Sequence, residues 1–141
     1  MPSPGLAARV SRARKAIEKL RRISEVPLEE YLSDEDLQAL SERYLHVLLE
    51  AILDLGAFVL AKKGISIGTT YRDIIEGLIR INIIPKELTN LARGIPGMRN
   101  VLVHGYAEIR HDLIYQLIKE ELEGLVSIFN ILLKEAEELD P

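Results

Sequence analysis

Arg99, His104 and Tyr106 stand within one eight-residue stretch, RNVLVHGY, in a chain that has only three histidines. A guanidinium stays charged at any physiological pH and grips phosphate oxygens through paired hydrogen bonds. An imidazole, with an unperturbed pKa of about 6.5, exchanges protons at neutral pH. Together they supply what metal-independent phosphodiester cleavage requires, charge compensation at phosphorus and proton transfer at the oxygens. Tyr106 adds a hydroxyl or a surface on which a base can stack. Each residue alone has an ordinary explanation, the arginine as a solvated charge and the histidine as a partner for a helix C-terminus.

Spacing limits how the pair can act. Five residues along an unbroken helix, at about 100° each, point Arg99 and His104 about 140° apart. They meet at one phosphate only if the helix ends between them, with Gly105 releasing the chain, or if a second protomer brings its own copy alongside. Both conditions suit a dimeric site.

The elements that must position these residues read as helices. Val10, Ala13, Ile17, Leu20 and Ile23 recur at steps of three and four, which predicts a first helix that ends near Val26-Pro27. PLEEYLS reads as a short connection. Ser33 opens SDED as a hydroxyl cap, and a second helix runs from it to Gly64 with apolar residues over more than one face, so it must be buried on two sides. GISIGTT is a loop whose threonines can cap a third, shorter helix from Tyr71, which stops before Pro85. A helical piece begins at that proline and loosens at RGIPG, and MRNVLVHG resumes helical spacing up to Gly105. A long last helix carries Leu113, Leu117, Leu122, Leu125, Phe129, Leu132, Leu133 and Ala136, with Gly124 inside it marking either close packing or lower local stability. No stretch alternates with period two. The expectation is one all-α domain over 1–141, a bundle of four main helices plus a broken one.

Composition narrows the classes of function. The chain has 141 residues, 48% hydrophobic and 28% charged, the ordinary globular balance. With no cysteine, neither a disulfide framework nor a thiolate nucleophile or metal site is possible. The N-terminus lacks an apolar stretch like that of a signal peptide, and no apolar run reaches the roughly 20 residues that span a bilayer, so a cytoplasmic location without membrane attachment is expected. The net charge of −4 argues against a surface devoted wholly to nucleic acid. Its distribution is uneven: Arg9, Arg12, Arg14, Lys15, Lys19, Arg21 and Arg22 crowd the first helix, and acids crowd the last. Two readings stay open, helix faces that attract one another or a basic surface that steers RNA phosphates.

The arrangement R-x4-H-x-Y, together with ERYLHVLLEAILDLGAFVLAKKG before it and IYQLIKEELEGL after it, resembles the HEPN superfamily. Within it the chain is most similar to HepT-like toxins paired with minimal nucleotidyltransferase antitoxins, over residues 40 to 135. The resemblance implies a homodimeric HEPN-like up-and-down four-helix bundle that cuts RNA without a metal or other cofactor, in a type VII-like toxin-antitoxin pair. Arg99 would bind the scissile phosphate, and His104 would act as base toward the ribose 2′-hydroxyl or as acid toward the leaving oxygen. Asn100 would position the site through its amide, and Asp54 matches the acid of the family's second helix that orients the arginine or histidine. Tyr106 would accept AMP from the cognate nucleotidyltransferase, which silences the toxin. The competing reading is a non-catalytic helical module that only binds such a nucleotidyltransferase. His46 reads as a packed helix residue, His111 as a helix-start surface position, and the three histidines lack zinc-site spacing.

Overall fold

The computed structural model describes residues 4–105 and 109–140, so Tyr106 lies outside the described residues. Among these, all regular structure is helical: α1 Pro4–Ile23, α2 Leu28–Ser33, α3 Glu35–Lys62, α4 Tyr71–Arg80, a 3₁₀ turn Lys86–Leu88, α5 Thr89–His104 and α6 His111–Leu139.

The apolar stripe of α1 buries Leu6, Val10, Ala13, Ile17, Leu20 and Ile23 as its spacing predicts. PLEEYLS is not a plain connection but contains the short helix α2. Tyr31 is fully buried there, and the Gln38 side chain donates to the carbonyls of Tyr31 and Leu32, satisfying groups that the helix end would otherwise leave unpaired. The cap of α3 is consequently Asp34, whose carboxylate accepts from the Leu37 N–H at 3.0 Å, while the Ser33 hydroxyl is spent on the Glu30 carbonyl.

The long helix α3 is the axis of the fold. It touches α1, α2, α4, α5 and α6, and Leu45, Leu48, Leu49, Ile52, Leu53, Leu55 and Val59 are all fully buried. By length and composition alone, with a mean hydropathy of 1.8 over 18 residues, it would suffice to cross a membrane, contrary to the expectation that no run is apolar enough. Here that apolar surface is covered by the helices packed around it. Gly64 ends the helix region at φ +71°, a conformation costly for any residue with a Cβ.

The reading of RGIPG as a loosened break is overturned, because α5 runs through Pro96 without interruption to His104. An internal proline removes one helix hydrogen bond, a cost of about 3 kcal/mol. Burial offsets it: Ala92 and Ile95 are fully buried, and Leu91, Met98 and Leu102 pack against the core. On α6 the inward face is Ile114, Tyr115, Ile118, Leu122 and Leu125, while Leu113, expected on that face, is exposed. Gly124 marks close packing, since a Cβ there would stand 2.5 Å from Leu91 Cδ2 on α5.

The charge asymmetry is partly internal. Arg21 of α1 makes paired hydrogen bonds to the Glu123 carboxylate of α6 at 2.8 and 3.0 Å, and Arg22 pairs with Glu18. In the N-terminal half of the basic helix, Arg9 pairs with Asp54 of α3.

Candidate active site

Arg99 projects from α5 toward α3 with its side chain only 20% exposed, and its Nε–H donates to Glu50 Oε1 at 2.7 Å. The guanidinium lies over the Tyr71 ring, 5.0 Å from the centroid, and Nη1 is 3.5 Å from Asn100 Oδ1. The hydrogen bond to Glu50 raises the arginine pKa above an already high value, so this charge is permanent. Because the anchoring contact uses Nε–H, donors on the terminal nitrogens are left for an anion.

Tyr71 is itself held in place. It is the first residue of α4, and the preceding Thr70 closes a capping box in which the Thr70 hydroxyl accepts from the Asp73 N–H and the Asp73 carboxylate accepts from the Thr70 N–H, each at 3.1 Å. Hydrogen bonding to its carboxylate, first from the Thr70 backbone N–H and then from the Thr70 side chain, holds the Asp73 carboxyl below the usual carboxylate range. A surface groove of about 560 Å³ runs past Tyr71, Arg72, Pro96, Gly97 and Asn100, and places Asn100 on its rim.

Glu50 belongs to a polar ladder on α3. His46 Nε2 lies one turn earlier, 3.2 Å from the same Oε1 that holds Arg99, and Asp54 lies one turn later. Asp54 does not reach Arg99; its partner is Arg9 of α1 at 3.1 Å. Burial raises the Asp54 pKa, Arg9 opposes that shift, and the nearby Glu50 charge adds to it. The acid that orients the arginine is thus Glu50, one turn before the one the resemblance points to. His46, set aside in the sequence as a packed residue, stands beside it. The signal for both was present as polar residues 46, 50 and 54 at four-residue steps in the otherwise apolar stretch from Leu45 to Leu60.

His104 is the last residue of α5 and is exposed. The helix therefore does not end between the two motif residues. It ends immediately after them, where the Gly105 N–H donates to the Val101 carbonyl at 2.9 Å. Gly105 has φ −91°, so the left-handed turn of a helix-stop glycine is not what it supplies. It supplies space, because a Cβ would stand 2.7 Å from the Val101 carbonyl oxygen. Of the aliphatic residues between Arg99 and His104, Leu102 packs on the core and Val101 is 48% exposed. His111 faces Glu42 at 3.3 Å, apart from Arg99 and its partners.

An all-helical bundle that displays an inward-tethered arginine and, five residues on, an outward histidine at a helix end defines a class of protein rather than a single member. Solved structures share this fold. A toxin-antitoxin crystal structure with AMP-PNP superposes with a TM-score of 0.80 at 19% identity, covering 92% of this chain and 97% of its own. The tri-AMPylated HEPN toxin of Shewanella oneidensis, in complex with its MNT antitoxin, superposes with a TM-score of 0.81 at 19% identity, covering 94% and 99%. The chain belongs to the HepT-like ribonuclease family, whose model matches residues 13–131. Among its relatives, the tRNA nuclease HepT of Aphanizomenon flos-aquae (strain 2012/KM1/D3) is 29% identical over 108 residues, 76% of this chain and 73% of that protein. The mRNA nuclease HepT of Shewanella oneidensis is 24% identical over 83 residues, 59% of this chain and 62% of that protein.

Proposed function

We propose that the protein is an endoribonuclease toxin of the cytoplasm that cuts RNA without a metal, at a site completed by two copies of Arg99 and His104. The observation that carries this reading is the division of labour along α5. Arg99 is tethered to Glu50 with donors left free, and His104 stands exposed at the helix end. Since α5 is continuous, the angular separation of about 140° persists, and the remaining way to bring both groups to one phosphate is a second protomer. The exposed Val101 between them supports a contact between copies.

In this reaction the ribose 2′-oxygen attacks phosphorus, the bond to the 5′-oxygen of the next nucleotide breaks, and a 2′,3′-cyclic phosphate and a 5′-hydroxyl result. His104 takes the 2′-hydroxyl proton or returns one to the leaving oxygen, and the two copies in a dimer provide both roles. Arg99 compensates the charge that builds on the phosphoryl oxygens. The nucleotidyltransferase partner is the antitoxin: the Tyr106 phenol oxygen attacks the α-phosphorus of ATP, pyrophosphate leaves, and the AMP so attached adds a charge and bulk two residues from His104.

Arg99→Ala and His104→Ala test the proposal. Each abolishes RNA cleavage and growth inhibition, while the circular dichroism of the bundle is unchanged; full activity in the His104 variant would sink the mechanism. A pure wild-type dimer that cuts no RNA would leave the non-catalytic binding module as the reading.

A further inference from the structure

Beside the Arg99 tether, a groove of about 280 Å³ opens between α1 and α3, lined by Arg9, Arg12, Arg43, His46, Glu50 and Asp54. Its charges do not cancel. Glu50 is engaged by Arg99 and His46, and Asp54 by Arg9. Arg12 and Arg43 are exposed and, among the described residues, make no hydrogen bond or ion pair. This differs from the far half of α1, where Arg21 and Arg22 are spent on Glu123 and Glu18. Arg9 and Arg12 share one face of α1, and Arg43, His46 and Glu50 share one face of α3, so the groove has two facing rows. Its lining includes Glu50, the residue that holds Arg99, so one side chain separates the groove from that arginine.

We propose that this groove is a second phosphate subsite, in which Arg12 and Arg43 bind the RNA backbone next to the scissile linkage. The proposal rests on the ribonuclease reading for its occupant. Two unpaired guanidiniums, with fork geometry suited to phosphate oxygens, flank a groove whose Glu50 is also the partner of Arg99. A single-stranded backbone supplies phosphates in series along such a channel.

The test compares Arg12→Gln/Arg43→Gln with the parent chain, both carrying His104→Ala so that RNA is held uncut. The ligands are a fluorescent single-stranded RNA of about a dozen nucleotides and a dinucleotide. The subsite predicts roughly tenfold weaker oligonucleotide binding at low salt and a salt-dependence slope shallower by about 1.4, about 0.7 for each phosphate no longer neutralised. Dinucleotide binding stays unchanged. Arg12→Lys/Arg43→Lys retains the slope, and Arg14→Ala/Lys15→Ala, which removes equal charge from α1 outside the groove, also leaves it in place. With His104 intact, the glutamine pair raises KM for long RNA without lowering kcat.

An unchanged slope in the glutamine variant overturns the proposal. So does an equal loss in the Arg14/Lys15 control, which would make the effect one of overall charge. Loss of nucleotidyltransferase binding with RNA binding intact would assign the groove to a protein partner instead. The two readings fail separately: RNA binding that depends on Arg12 and Arg43 in a wild-type chain without cleavage upholds the groove and sinks the nuclease, whereas cleavage with an unaltered slope does the reverse.

Discussion

Glu50 Oε1 accepts the Arg99 Nε–H at 2.7 Å and lies 3.2 Å from His46 Nε2, so one carboxylate oxygen joins the central helix to the arginine. Glu50→Gln weakens this tether and removes a negative charge from the groove proposed to hold phosphate. The expected result is a fall in kcat of roughly 10- to 100-fold, the scale of a misplacement of about an ångström, with no rise in KM for RNA. Glu50→Asp, shorter by one methylene, falls between. Steady-state kinetics on a fluorogenic RNA checks this; an unchanged kcat in Glu50→Gln would show that the tether is only structural.

Gly105 is a matter of space. A Cβ added there meets backbone, the Val101 carbonyl oxygen at 2.7 Å, which cannot swing aside as a side chain would. Gly105→Ala therefore displaces the last turn of α5 and with it His104. Cleavage should drop at least ~10-fold while the melting temperature moves by only a few degrees, because a frayed helix end contributes little to global stability. Activity and thermal unfolding measured on one preparation separate the two effects, and wild-type cleavage in the alanine variant would be the contrary result.

The capping box beneath Arg99 gives a stability prediction with a defined pH dependence. Thr70→Ala removes the hydroxyl that accepts the Asp73 N–H and should cost about 1 kcal/mol, read as a fall of about 4 °C in melting temperature. The Asp73 carboxyl is held below its ordinary range, first by the Thr70 backbone N–H and then by the Thr70 hydroxyl. A depressed acid stabilises the fold above its unfolded pKa of about 3.9, and that stabilisation fades as pH falls through the lowered value. The gap between wild type and Asp73→Asn should accordingly be full at neutral pH and close on acidification below about pH 4. Urea melts at a series of pH values test it; a gap that widens with acid would contradict the sign.

How much of the fold and the site was legible in the sequence depends on how local each signal is. As candidates, Arg99 and His104 stood out because they lie close together in sequence, and the stripe of Val10, Ala13, Ile17 and Leu20 was readable because one helix carries it alone. Glu50 was not singled out, since a carboxylate four residues after a histidine on a helix looks like an ordinary solvated pair until Arg99 arrives from 49 residues away. Asp54 drew attention by family position, yet Arg9 claims it, a choice made by how α1 packs on α3. Pro96 misled because local propensity disfavoured helix where burial of Ile95 imposed it, and PLEEYLS because so short a run is marginal as a helix until burial of Tyr31 fixes it. Arg99 and His104 diverge along α5 as their spacing requires, and only the expected break between them is absent.

The helix that carries His46, Glu50 and Asp54 is also the one around which every other helix packs. Candidate site and scaffold therefore share one helix. A turn or slide of α3 that repacked Leu48 or Ile52 would carry Glu50 along with it, so the tether cannot drift while the interior stays fixed. Room for change lies at the margins, on Arg12, Arg43 and Asn100, exposed side chains that nothing in the interior constrains. Diversification among such proteins would accordingly alter which RNA is held well before it alters how the arginine is aimed.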